Sequence, residues 1–96
     1  MDVVVVGAGP AGAAAAILLA ERGWQVALLD KAGFPRPKIC GEYLSPEASR
    51  ILDRLGVLKT VDQAGARPLR GMRIVAPDGT ALDGAYPTSG PWRGYR

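Results

Sequence analysis

Four consecutive valines, Val3 to Val6, run straight into Gly7-Ala8-Gly9-Pro10-Ala11-Gly12, an alanine-rich stretch follows, and a second apolar run, Val26-Ala27-Leu28-Leu29, ends at Asp30. The valines read as a strand. Residues 11–22, apolar on every side from Ala13 to Ala20, read as a helix buried on more than one face, closed by Gly23. The unbroken second run reads as a parallel strand covered on both faces. Strand, glycine turn, helix, strand and acid in this order leave little choice but a βαβ unit.

Each part of that order has a chemical use if the ligand is a dinucleotide. Gly7 makes the tight turn off the strand, Gly9 lets backbone approach a pyrophosphate, and Gly12 lets the helix lie against the strand. Pro10 sits at the first helical position, where its missing N–H costs little. The helix N-terminus then turns its free N–H groups and its dipole toward the phosphates. Asp30 lies eighteen residues beyond Gly12, near the roughly twenty-residue offset of a carboxylate that accepts from a ribose hydroxyl. A glycine turn alone is a weak signal; the flanking strand, helix and acid make it specific.

Residues 3–20 carry no charge, which raises a membrane span or a secretory leader as rivals. A leader requires a basic start, and the only charge ahead of the run is Asp2. Three glycines and a proline between positions 7 and 12 would interrupt a spanning helix. Both readings fail, and one cysteine without a signal peptide fits a reducing, cytoplasmic setting. With no histidine and a single cysteine, the chain can build no internal disulfide, no ordinary zinc site and no Ser-His or Cys-His pair.

At 96 residues the chain is shorter than a doubly wound sheet that encloses a whole dinucleotide, so the expectation is an N-terminal fragment whose C-terminal part is missing. Charge is uneven. Residues 1–66 balance seven basic against seven acidic side chains, whereas residues 67–96 set five arginines against Asp78 and Asp83. An anionic partner and a solvated face are both consistent with that excess. Nucleic acid is not, for want of a basic helix or interleaved aromatics.

Beyond Asp30, Pro35, Pro37 and two glycines mark an extended loop through Ser45. Ser45 as N-cap, Pro46 as first residue and Glu47 in the first turn then start a helix. Ala48, Ile51, Leu52 and Leu55 form its expected buried stripe, Arg50, Asp53 and Arg54 its wet face, and Gly56 its stop. Val57 to Ala64 adds a second short helical turn. Leu69 to Val75 and Thr80 to Asp83, flanking Pro77-Asp78-Gly79, read as an antiparallel hairpin. The last thirteen residues give no regular signal. These features divide the chain into residues 1–66, the first part of a nucleotide-binding domain, and residues 67–96, a hairpin and tail that begin a substrate domain. The expected fold class is α/β: a Rossmann-like FAD/NAD(P)-binding βαβ unit with the start of an antiparallel β domain, incomplete.

The run from Asp30 through Phe34-Pro35-Arg36-Pro37-Lys38 to Cys40-Gly41-Glu42 and Leu44-Ser45-Pro46 is more distinctive than the glycine turn. With Arg54-Leu55-Gly56, Gly71-Met72-Arg73-Ile74 and the opening motif, it resembles the geranylgeranyl reductase-like branch of FAD-dependent oxidoreductases, relatives of aromatic hydroxylases and flavin-dependent halogenases. The resemblance covers residues 2–83. It implies FAD rather than NAD, with Gly7, Gly9, Pro10, Ala11 and Gly12 at the pyrophosphate and Asp30 at the adenosine ribose. That family more often has glutamate at this position, one methylene longer. Lys31, Arg36 and Lys38 would lie along the cofactor, and Cys40-Gly41 near the flavin ring. A complete enzyme of this kind takes a small-molecule or lipid-like substrate and NAD(P)H as electron donor, as a monooxygenase, halogenase or alkene reductase.

Plainer roles stand beside these. Arg36 and Lys38 as solvated loop charges, Cys40 as packing, Glu42 as a cap, and Trp24, Trp92 and Tyr95 as core or edge residues all fit the sequence. An NAD(P)-binding dehydrogenase domain and a non-catalytic nucleotide-binding module remain open at this point. No catalytic residue is assigned.

Overall fold

A computed structural model describes residues 1–39, 43–87, 90 and 93–96. Cys40, Gly41, Glu42 and Trp92, singled out above, lie outside the described residues. The chain divides into two compact units, Met1–Ile39 and Cys40–Arg96.

In the first unit, β1 (Val3–Val6) and β2 (Val26–Leu29) pair in parallel, with Val3 opposite Val26 and Val6 opposite Leu29, and α1 (Pro10–Glu21) connects them. The parallel register follows from the crossover, because a helix between two strands returns the chain to the same end of the sheet. Gly23, at φ +91°, turns the chain out of the helix, a conformation glycine adopts without Cβ strain. Coverage on two faces does not hold. Val4, Val6, Leu28 and Leu29 are exposed, and Ala16 is the buried apolar residue of α1. The βαβ unit brings one helix to one face of its two strands. The apolar runs are those of strands and a helix that need further layers on their other sides.

In the second unit, α2 (Pro46–Arg54) and α3 (Leu58–Gln63) precede two short antiparallel strand pairings. Ser45 caps α2 as its sequence predicts, Oγ accepting from Ala48 N–H at 3.1 Å. The stripe differs from expectation: Ile51 is 42% exposed, while Ser49 is fully buried. Ser49 Oγ donates to the Arg93 carbonyl at 2.6 Å, so a short polar side chain replaces an aliphatic one where the chain's end returns. β3 (Pro68–Leu69) pairs antiparallel with β6 (Gly94–Tyr95), and Tyr95 is buried. The tail therefore has regular structure that its composition hides, since a two-residue strand among glycines and prolines carries no alternation to read.

The hairpin consists of β4 (Gly71–Val75) and β5 (Ala81–Ala85), with Ile74 opposite Leu82 and Arg73 opposite Asp83. Its turn is the one anticipated: Gly79 takes φ +88° and Asp78 Oδ1 accepts from Thr80 N–H. Its boundaries are shifted. Leu69 belongs to β3, and β5 continues to Ala85. Arg73 and Asp83 pair across one face, and Met72, Ile74 and Leu82 leave the other apolar and exposed.

Candidate dinucleotide site

The site lies where β1 and β2 end side by side. Gly7 N–H donates to the Leu29 carbonyl at 2.7 Å, continuing the strand pairing by one residue, and Gly7 at φ +105° then turns the chain into α1. A Cβ on Gly12 would fall 1.8 Å from the Gly7 carbonyl oxygen. Backbone fills that space, so only glycine lets the first turn of α1 pack against the strand end. Gly9 differs: a Cβ there would meet nothing nearer than Arg36 Nη2 at 3.7 Å. The bare backbone at Gly9 faces open space bordered by the Arg36 side chain. The two glycines thus have separable roles, Gly12 in packing and Gly9 in leaving an approach to the backbone.

That approach leads to an uncapped helix. Gly9 is the N-cap of α1, no side chain bonds to this end, and the first turn has no acidic residue. The first donor of the helical ladder is Ala13, bonded to the Gly9 carbonyl at 2.9 Å. Ala11 and Gly12 N–H precede it and meet no acceptor among the described residues. α2, by contrast, satisfies its own start through Ser45. An anion is the natural partner of such an end, through its N–H groups and the helix dipole.

Asp30 closes the site from β2. Its side chain is 8% exposed, and three donors of this chain already meet it. Ala8 N–H donates to Oδ2 at 2.8 Å, Ala32 N–H to Oδ1 at 2.9 Å, and Arg36 Nη2 to Oδ2 at 3.3 Å. The Ala32 and Ala8 amides, then the Arg36 charge, hold its carboxyl below the ordinary range against the opposing effect of burial. Asp30 is therefore a carboxylate at neutral pH.

Arg36 borders two cavities. One, of about 430 Å³, opens among Val6, Gly7, Asp30, Lys31, Ala32 and Pro37. The other, of about 300 Å³, opens among Ala8, Gly9, Pro10, Ala13, Phe34 and Lys38. The guanidinium lies over the Phe34 ring at 5.4 Å, within cation–π range. Its Nε is buried and meets no acceptor among the described residues.

Gly7, Asp30 and Lys31 thus line the first cavity, Gly9, Pro10 and Lys38 the second, and Arg36 both, with Lys31 and Lys38 exposed and Ala11 and Gly12 in the first turn of α1. The sequence did not reveal Phe34 as the platform under Arg36, nor the amides of Ala8 and Ala32 as partners of Asp30. The second had a signal, an aspartate two residues before a free N–H at the start of a loop. Among the described residues no group of His, Cys, Asp or Glu could hold a metal ion, and no helix is long and apolar enough to cross a membrane.

This geometry fits a diphosphate joined to a ribose: a bare backbone approach, a free helix N-terminus, a carboxylate and a guanidinium at one crevice. Comparison with known proteins agrees. Residues 1–86 match the FAD binding domain family. The chain is 54% identical over 61 residues, 64% of its length, to a menaquinone reductase of Mycolicibacterium smegmatis, of which it covers 15%. It is 35% identical over 85 residues, 88% of its length, to a 6-methylpretetramide 4-monooxygenase of Streptomyces rimosus, covering 20% of that protein. Among solved structures, a flavin-dependent brominase superposes with a TM-score of 0.81 at 30% identity, over 96% of this chain and 23% of the brominase. The chain spans less than a quarter of each of these proteins.

Proposed function

This chain belongs to the FAD binding domain family, and from that premise we propose that it holds the pyrophosphate and adenosine ribose of FAD in a flavin-dependent oxidoreductase. The observation that carries this reading is the open approach to Gly9 beside an uncapped helix, with Asp30 and Arg36 on the same crevice. Gly7 and Gly12 set the turn, and Pro10 starts the helix without contributing a competing N–H. Ala11 and Gly12 N–H meet the pyrophosphate, Asp30 accepts from the ribose, and Lys31, Arg36 and Lys38 balance the phosphate charge. FAD, when bound, supplies the electron transfer; the chain's share is to bind, orient and shield it.

We further propose that residues 1–66 belong to the FAD-binding domain and that residues 67–96 begin the substrate domain, with the rest supplied by the remainder of the polypeptide. The intact protein takes electrons from NAD(P)H, acts in the cytoplasm on a small-molecule or lipid-like substrate, and does not bind nucleic acid. Of the monooxygenase, halogenase and alkene reductase activities named above, the 54% identity to a menaquinone reductase favours a reductase, here on a quinone-class substrate. The test is turnover of the intact polypeptide with and without oxygen. Quinone-dependent NAD(P)H oxidation that persists anaerobically supports the reductase; turnover that requires oxygen and an aromatic substrate supports the monooxygenase.

A further inference from the structure

Arg36 is poorly satisfied where it stands. One nitrogen, Nη2, reaches Asp30 Oδ2 at 3.3 Å, longer than the roughly 2.7–2.9 Å of a well-formed charged pair. The same nitrogen lies 3.7 Å from the Cβ position of Gly9. The guanidinium therefore borders the approach that a phosphate at Gly9 would use. Its Nε is a buried donor with no acceptor among the described residues, and its side chain is only 26% exposed. Asp30 Oδ2 already accepts from both Ala8 N–H and Arg36, and Oδ1 from Ala32 N–H. A ribose hydroxyl arriving at Oδ2 would compete with Arg36.

We propose that Arg36 is a hand-over residue that makes the site select diphosphates over bare nucleosides. This rests on the FAD reading of the crevice. The guanidinium is parked on Asp30. A diphosphate gives it, Nε included, a better set of acceptors, and its departure frees Asp30 Oδ2 for the ribose. An adenosine without phosphates offers Arg36 nothing, so it must compete with the guanidinium for the carboxylate. The two contacts are linked: the phosphate uncovers the acceptor that the sugar needs.

Opposite signs on two ligands test this. Adenosine and ADP are titrated calorimetrically into the FAD-free intact polypeptide, as wild type, Arg36→Gln and Arg36→Lys. The proposal expects Arg36→Gln to weaken ADP by about tenfold or more, through loss of a charged hydrogen bond. Adenosine should bind about threefold more tightly, through release of a partly exposed ion pair. Arg36→Lys, which keeps the charge and guards against misfolding of the first variant, should weaken ADP less. An unchanged adenosine affinity reduces Arg36 to an ordinary phosphate contact and overturns the hand-over. Equal weakening of both ligands makes it a structural residue and overturns it as well. If the wild type fails to take up FAD, the reading of the crevice itself falls, a result separable from the other two.

Discussion

Two glycines three residues apart carry different burdens, and single methyl groups separate them. Gly12→Ala drives a Cβ into the Gly7 carbonyl, and overpacking of that kind costs about 1–3 kcal/mol, so the thermal midpoint of the intact protein should fall. Gly9→Ala meets only a flexible arginine at 3.7 Å. The midpoint without FAD should stay in place while FAD affinity drops. Equal loss of stability in both variants would show that the turn has no open side. Asp30 carries a pH signature. Its folded pKa lies below the ordinary 3.8, so the stability it contributes is whole above that value and is lost as pH falls through the lowered one. The stability gap between wild type and Asp30→Asn should hold from neutral pH to about 4 and close below it; a gap already closing near pH 6 would place the carboxyl elsewhere. The glycines and Asp30 were legible because their spacing encodes backbone shape. The Ala8 and Ala32 contacts were less so, because Ala8 and Asp30 meet only once β1 and β2 are in register.

At the scale of elements, caps and turns read cleanly and packing faces did not. Ser45, Pro46 and Gly56 bounded α2 because each acts on its own neighbouring backbone. Its buried face depended on where residues 93–96 return, and no local pattern reports that. Ser49 sits under the Arg93 carbonyl, whereas Ile51 is 42% exposed. Ser49→Ala leaves that carbonyl without its donor and should cost about 1–3 kcal/mol. Ile51→Ala should cost less, the reverse of what hydropathy alone suggests. Chemical denaturation of the two variants decides it, and a larger loss for Ile51→Ala would contradict the observed face. The short β3–β6 pairing escaped notice for the same reason: its partners are two-residue strands far apart in sequence.

At the scale of the whole molecule, the buried apolar side chains among the described residues are Ala16 and Tyr95, while Val4, Val6, Leu28, Leu29, Ile74 and Leu82 are exposed. So small a core cannot offset the entropy of ordering about a hundred residues. Residues 1–96 expressed alone should therefore show no cooperative thermal unfolding, and a sharp transition by circular dichroism would refute this. The βαβ layout and the dinucleotide crevice were legible because both are local to the first 38 residues; the covering layers are not encoded there. Everything proposed for this chain follows from FAD lying in the crevice at Gly9. Its most direct test is the flavin-to-protein ratio of the intact polypeptide, purified as wild type and as Gly9→Val, read from flavin absorbance after denaturation. About one FAD per wild-type chain is expected, and a variant that folds but is colourless, its β-branched side chain filling the phosphate's place. Equal FAD content in the two proteins would contradict it.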